Sequence, residues 1–185
     1  MTSQTTTESI FNMHLEIMHQ YILKPDILPT NKSPEWVIKF SGIDGGIEVE
    51  AVKGSFSCYN FSFIFDRNLV GQDTVGAGLK GRAVFILQND QKTPLMQRLS
   101  EKIFSNKVFE TISAVRLMDL EEKNLRDVFV MNKAKISKLQ SNNDLICGEI
   151  LCEQLNITDF EISNSGESNG KVVAGYDFVA GRVTT

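Results

Sequence analysis

Apolar and polar positions alternate with a two-residue period along most of this chain, and one stretch departs clearly from it. In Lys92-Thr93-Pro94-Leu95-Met96-Gln97-Arg98-Leu99-Ser100-Glu101-Lys102-Ile103-Phe104, Leu95, Leu99 and Ile103 recur four residues apart. Met96 joins their face, while Gln97, Arg98, Glu101 and Lys102 fall on the opposite one, as in an amphipathic helix. Thr93 is placed to cap the helix, and Pro94 to take its first helical position, where a missing N–H costs nothing. The apolar face needs a surface to cover, and the segments on either side read as strands.

From Ile10 to Tyr21 both periods fit. Ile10, Met13, Ile17 and Tyr21 suit a helix, and Met13, Leu15 and Ile17 a strand, with the strand preferred. Pro25, Pro29 and Pro34 mark an irregular connection. Glu35 to Phe40 reads as a strand, and Gly42 with Asp44-Gly45-Gly46 as a turn into Ile47 to Ala51, so that a hairpin is expected there. Its second arm would carry Ile47, Val49 and Ala51 on one face, Glu48 and Glu50 on the other. Phe56, Cys58, Phe61, Phe63 and Phe65 continue as strand, with the aromatic side chains buried together. The glycine-rich run Asp66 to Gly81 predicts an exposed, mobile loop, and Arg82 to Leu87 the strand that leads into the helix. Val108 to Met118 sets Val108, Ile112 and Ala114 against Phe109, Val115 and Leu117, and pairs as a hairpin with Leu125 to Ile136 across Asp119 to Asn124. One long strand is expected from Leu145 to Phe160, a loop over Ser163 to Gly170, and a last strand from Val172 to Val179 before a loose end. The fold class is therefore all-β: an antiparallel β-barrel with one short flanking α-helix. Residues 1–185 are expected to form one domain, with residues 1–10 disordered, and no repeat period is present.

Composition narrows the function. With 19 basic and 23 acidic residues and a net charge of −4, the chain lacks the basic surface that phosphate neutralisation requires, so no nucleic-acid partner is expected. Cys58, Cys147 and Cys152 form no CxxC pair and are odd in number, which suits buried thiols in a reducing compartment. The start, Met1 to Ser9, has no basic stretch before an apolar one, so it does not read as a secretory signal. No apolar run approaches the ~20 residues of a membrane span. Synthesis in the cytoplasm and no direct membrane insertion are expected.

Several motifs match chemistry without its context. Gly76-Ala77-Gly78-Leu79-Lys80-Gly81 fits GxGxxG, but it leads into a strand pattern and not into the helix that would face a pyrophosphate. Gly166-Glu167-Ser168-Asn169-Gly170 fits GxSxG, yet both histidines lie upstream, against the Ser, acid, His order of an α/β-hydrolase. His14 and His19 are five apart, no ligand spacing for either element, even with Glu16 between them. Glu48, Glu50, Asp119, Glu121 and Glu122 read as solvated faces and a hairpin tip, and Phe61, Phe63 and Phe65 as core and not as a stacking platform. No catalytic, cofactor-binding or metal residue is assigned, and the chain is not expected to be an enzyme.

Laid out in order, the chain resembles the hemolysin-coregulated protein (Hcp) family, the inner-tube proteins of bacterial type VI secretion systems. The likeness is carried by the strand from Gly81, by Gln91-Lys92-Thr93-Pro94-Leu95-Met96 as a polar turn into a helix, and by the strands at Val108 to Met118 and Val128 to Ile136. The tail Ser168-Asn169-Gly170-Lys171-Val172-Val173-Ala174-Gly175-Tyr176-Asp177-Phe178 looks like that family's glycine-aromatic C-terminal pattern. Ile47-Glu48-Val49-Glu50 is similar to its acidic-apolar strand, and Glu35 to Ser41 offers a second alignment there. The resemblance implies a compact β-barrel that assembles into a homo-hexameric ring, with rings stacked into a secreted tube that can carry effectors in its lumen. Sheath, spike and effector proteins are the implied partners, and secretion would need no signal peptide. Contacts between rings would use the Asp66 to Gly81 loop and the Gly175 to Val183 tail. The alternatives are the tail-tube subunit of a contractile phage-like particle and a barrel that binds a small ligand on Phe61 to Phe65.

Overall fold

A computed structural model describes residues 36–67, 79–89, 94–119, 124–141, 145–162 and 168–184. They form nine strands and one helix: β1 (Trp36–Phe40), β2 (Phe56–Arg67), β3 (Leu79–Gln88), α1 (Leu95–Phe104), β4 (Phe109–Asp119), β5 (Asn124–Ser141), β6 (Leu145–Cys152), β7 (Gln154–Ile162), β8 (Ser168–Asp177) and β9 (Arg182–Thr184). All pairings are antiparallel. β1, β2, β3, β6, β5 and β4 follow one another around a ring that the β4–β5 pairing closes, giving a six-stranded barrel. β7, β8 and β9 extend the sheet away from it. An antiparallel barrel with one flanking helix is the expected fold class.

Alternation decides which side chains fill the barrel. Ile38 and Phe40, Ala83, Phe85 and Leu87, Ile112 and Ala114, and Ile146 and Ile150 point inward and are buried together. Helix α1 follows β3 and precedes β4, and it lays Leu95 and Leu99 into this interior while Arg98, Glu101 and Phe104 stay exposed. Pro94 stands one position earlier than expected. It is the N-cap residue, with no side-chain cap, and its carbonyl accepts the first helical hydrogen bond from Arg98 N–H at 3.1 Å. Thr93 lies outside the described residues. At the other end Asn106, at φ 49°, closes a Schellman motif: Asn106 N–H donates to Ile103 O and Lys107 N–H to Lys102 O, each at 3.0 Å.

Three strand expectations are corrected. Ile47 to Ala51 is not a strand. Gly45 N–H and Ile47 N–H donate to the carbonyls of Gly54 and Ser55, and Glu50–Val52 is a 3-10 turn, so the segment pairs within its own loop. Ile47 and Val49 still turn inward, with Val52 of the 3-10 turn, onto Val37 and Leu117 on the outer face of β1 and β4, whereas Ala51, expected on the same face, is exposed. Phe109 joins Ile112 and Ala114 inside instead of opposing them. Lys133, opposite this stretch, is in the left-handed region at φ 48°, and inward positions on β5 pass from Met131 to Ala134 instead of Lys133. The pairing stays in register through this point, Phe109 with Ala134 and Ile112 with Met131, so β4 and β5 change face together. The expected long strand from Leu145 breaks at Glu153 into β6 and β7, and Glu153 pairs with Lys133 at 3.3 Å across that break. The expected loose end folds back as β9.

Candidate assembly surface

Two strands, β2 of the barrel and β8 of the extension, have a stretch of edge with which no described strand pairs. β1 pairs with β2 only over Phe56–Cys58, so β2 from Phe61 to Arg67 has β3 alone as its described partner. β8 from Ser168 to Ala174 likewise pairs with β7 alone, since β9 meets only Gly175–Asp177. Unpaired strand edges offer backbone donors and acceptors to another strand.

Apolar side chains accompany these edges. Seven rings run from the interior to the surface: Trp36 and Phe61 are 5.1 Å apart by centroid, Phe61 and Phe129 5.4 Å, Phe129 and Phe63 6.0 Å, Phe63 and Phe65 5.0 Å, Phe65 and Phe178 6.4 Å, and Phe178 and Tyr176 4.9 Å. Phe61 is buried, Phe63 half-buried and Phe65 51% exposed, so the three phenylalanines are not uniformly core as expected. These rings pack on one another at centroid distances of 4.9–6.4 Å, and a 310 Å³ surface pocket lined by Gly46, Ile47, Ser55, Phe56, Ser57 and Gln88 lies away from them.

The end of this ladder is built by β8 and the turn after it. Asp177 Oδ1 accepts from the N–H groups of Val179 (3.0 Å) and Ala180 (2.8 Å), and its Oδ2 from Gln154 Nε2 (3.1 Å). Hydrogen bonding, first from Ala180 N–H and next from Gln154, holds its carboxyl below the ordinary range. This turn carries Phe178, whose ring lies on Gly81. A Cβ at Gly81 would stand 2.3 Å from that ring and 3.0 Å from Phe63. β8 itself is exposed on both faces: Lys171 to Ala174 are all exposed, and Val172 and Val173, which point to opposite faces, are each 55% exposed.

Of the candidate residues weighed from sequence, Gly81 lies within β3 and Ser168 within β8, so each belongs to a strand. Gly76, Gly78, Gly166, Glu121, Glu122, His14, Glu16 and His19 lie outside the described residues, as does most of the Asp66 to Gly81 loop. Glu48 and Glu50 are exposed. Cys58, Cys147 and Cys152 are free and buried, and burial pushes each thiol up to about 12. Among the described residues no group of His, Cys, Asp and Glu is placed to hold a metal ion, and no helix is long and apolar enough to cross a membrane. The two-faced exposure of β8 was missed; its signal was the adjacent pair Val172-Val173, which cannot both face one core.

This architecture, a six-stranded antiparallel barrel with one helix and a sheet extension, is the fold of Hcp proteins. It matches Hcp1 from Salmonella typhimurium with a TM-score of 0.63 and 14% sequence identity, over 80% of this chain and 97% of that one. A type VI secretion system effector from Yersinia pestis matches at 0.57 and 14% identity, over 77% and 98%, and the secreted protein Hcp3 from Pseudomonas aeruginosa at 0.51 and 14%, over 77% and 96%. No family model matches the sequence, and no curated protein matches it. The resemblance read from the helix and the tail is therefore met at the level of fold.

Proposed function

We propose that this chain is a tube subunit of a type VI secretion apparatus, closing with identical copies into six-membered rings that stack into a secreted tube. One observation carries the reading: the fold accounts for nearly the whole length of Hcp chains, including Hcp1 and Hcp3. The exposed surface supports it independently. A subunit of a stacked ring needs two different contacts, one within the ring and one between rings. Strand β8 offers an apolar residue on each face, and β2 and β8 offer strand edges. Effectors would travel in the lumen, with sheath and spike proteins outside and at the tip. No chemistry is required of the subunit in this role.

Light scattering of the purified protein, with negative-stain images of the same sample, tests the proposal. Closed rings of six times the chain mass are expected. A monodisperse monomer at high concentration would overturn it.

A further inference from the structure

Among the described residues the most exposed large apolar side chain is Phe104, at 88%. It ends α1, and the turn that follows fixes the helix end to the barrel. Asn106 Oδ1 accepts from Lys135 Nζ of β5 at 3.2 Å, and Lys102 Nζ lies over the Phe109 ring of β4 at 4.9 Å from its centroid. Phe104 is therefore a fixed apolar knob over β4 and β5, with Val108, also exposed, after the turn. The 310 Å³ pocket lies at the same end of the barrel. Phe56 of its lining begins β2 and Gln88 ends β3, and α1 leads from that end of β3 to the start of β4. In the closed order β1, β2, β3, β6, β5, β4, strand β5 stands opposite β2 and β4 opposite β3. Knob and pocket thus lie on opposite sides of one barrel mouth.

We infer that Phe104 of one copy of this chain seats in the pocket of the next. The inference rests on the reading of the chain as a ring subunit, and it adds a contact within the ring to those that β8 offers. A knob and a socket on opposite sides of a subunit make a head-to-tail contact, which repeats around a ring until it closes. The pocket suits an aromatic anchor: Phe56 and Ile47 give it an apolar lining, and Ser55, Ser57 and Gln88 a polar one. Charge matches as well. Arg98, Lys102, Lys107 and Lys135 outnumber Glu101 and Glu110 around the knob. Asp44, Glu48 and Glu50, on the loop that supplies Gly46 and Ile47, outnumber Lys53 and the Lys39 that donates to its carbonyl. Opposite signs on the two sides favour the head-to-tail pairing over knob against knob.

Two measurements on the full-length chain test this, at concentrations where light scattering finds the parent in rings. With a photoreactive benzoylphenylalanine in place of Phe104, irradiation should join position 104 to residues 46–57 or to Gln88 of a second copy, and the products should form a ladder beyond the dimer. Rings whose cross-links fall elsewhere would overturn this contact and leave the ring reading standing, whereas a parent that stays monomeric would overturn both. Products that stop at the dimer would make the contact two-fold and equally overturn it. Phe104→Asp should raise the concentration at which rings form about tenfold or more, while the isolated subunit unfolds as the parent does. Assembly of that variant at the parent's concentration would overturn the inference.

Discussion

Cys58 shows how burial at a single residue sets a property of the whole fold. Desolvation inside the barrel raises its thiol from an ordinary 9.0 to about 12, outweighing the hydrogen bonds that favour the thiolate. The folded state therefore holds a proton that the unfolded chain releases above pH 9, and stability is fully present below pH 9 and lost as pH rises towards 12. The slope is at most about 1.4 kcal/mol per pH unit for one thiol. Denaturant unfolding of the parent and of Cys58→Ala between pH 8 and 11 should show a smaller alkaline loss in the variant. Gly81 makes a different demand. Its missing side chain is the space in which the Phe178 ring lies, so Gly81→Ala should displace that ring and cost about 1–3 kcal/mol, measured as a fall in the unfolding midpoint. The match of Gly81 to a dinucleotide motif drew attention to the right residue for the wrong reason: the glycine makes room for an aromatic ring.

At the level of elements, the helix carries the strongest single prediction. Leu99 is fully buried between the barrel strands, and Leu99→Ala should cost roughly 2–5 kcal/mol, whereas Phe104→Ala on the exposed face should change the unfolding midpoint little. Asn106→Ala should cost about 1–2 kcal/mol by placing an ordinary residue in the left-handed region, and Asn106→Gly should not. This helix was legible because a strand would set Gln97 and Glu101 on the face of Leu95, Leu99 and Ile103 and Met96 on the other, whereas a helix gathers the four apolar residues on one side. The β4–β5 hairpin was legible for the converse reason, long alternation broken once by Asp119 to Asn124. Ile47 to Ala51 misled because alternation reports only which side chains are covered. A loop lying on the outer faces of Val37 and Leu117 half-buries Ile47 and Val49 just as a strand would, and only at Ala51, which is exposed while Val52 is buried, does the alternation fail. Phe109 misled because its face depends on the left-handed Lys133 across the hairpin, a backbone state that lysine does not advertise. The assembly surface was legible only in part. Alternation names two faces without saying which is inside, and the exposed valines of β8 became a feature only once the barrel was seen to close without them.

The whole molecule turns on that closure. The barrel ring is complete without β7, β8 and β9, and the helix already fills the interior with Leu95 and Leu99, so the extension is not needed to enclose the core. A projecting strand with a valine on each face adds exposed apolar surface to the isolated subunit, a liability unless another molecule covers it. In a stacked ring the two faces of β8 meet different neighbours, and the two valines should then be separable by mutation. Val172→Asp and Val173→Asp should change the unfolding midpoint of the isolated subunit far less than a core substitution such as Leu99→Ala, because each valine is 55% exposed. A carboxylate buried without a partner at a contact is expelled, so each variant should lose one kind of assembly. One should stop at subunits that do not close into rings, and the other at closed rings that do not stack. Light scattering separates these outcomes by mass, and negative-stain images by the presence of rings without tubes. If both variants assembled as the parent does, β8 would be only an exposed strand, and the contacts of any ring would have to be sought along the edge of β2 instead.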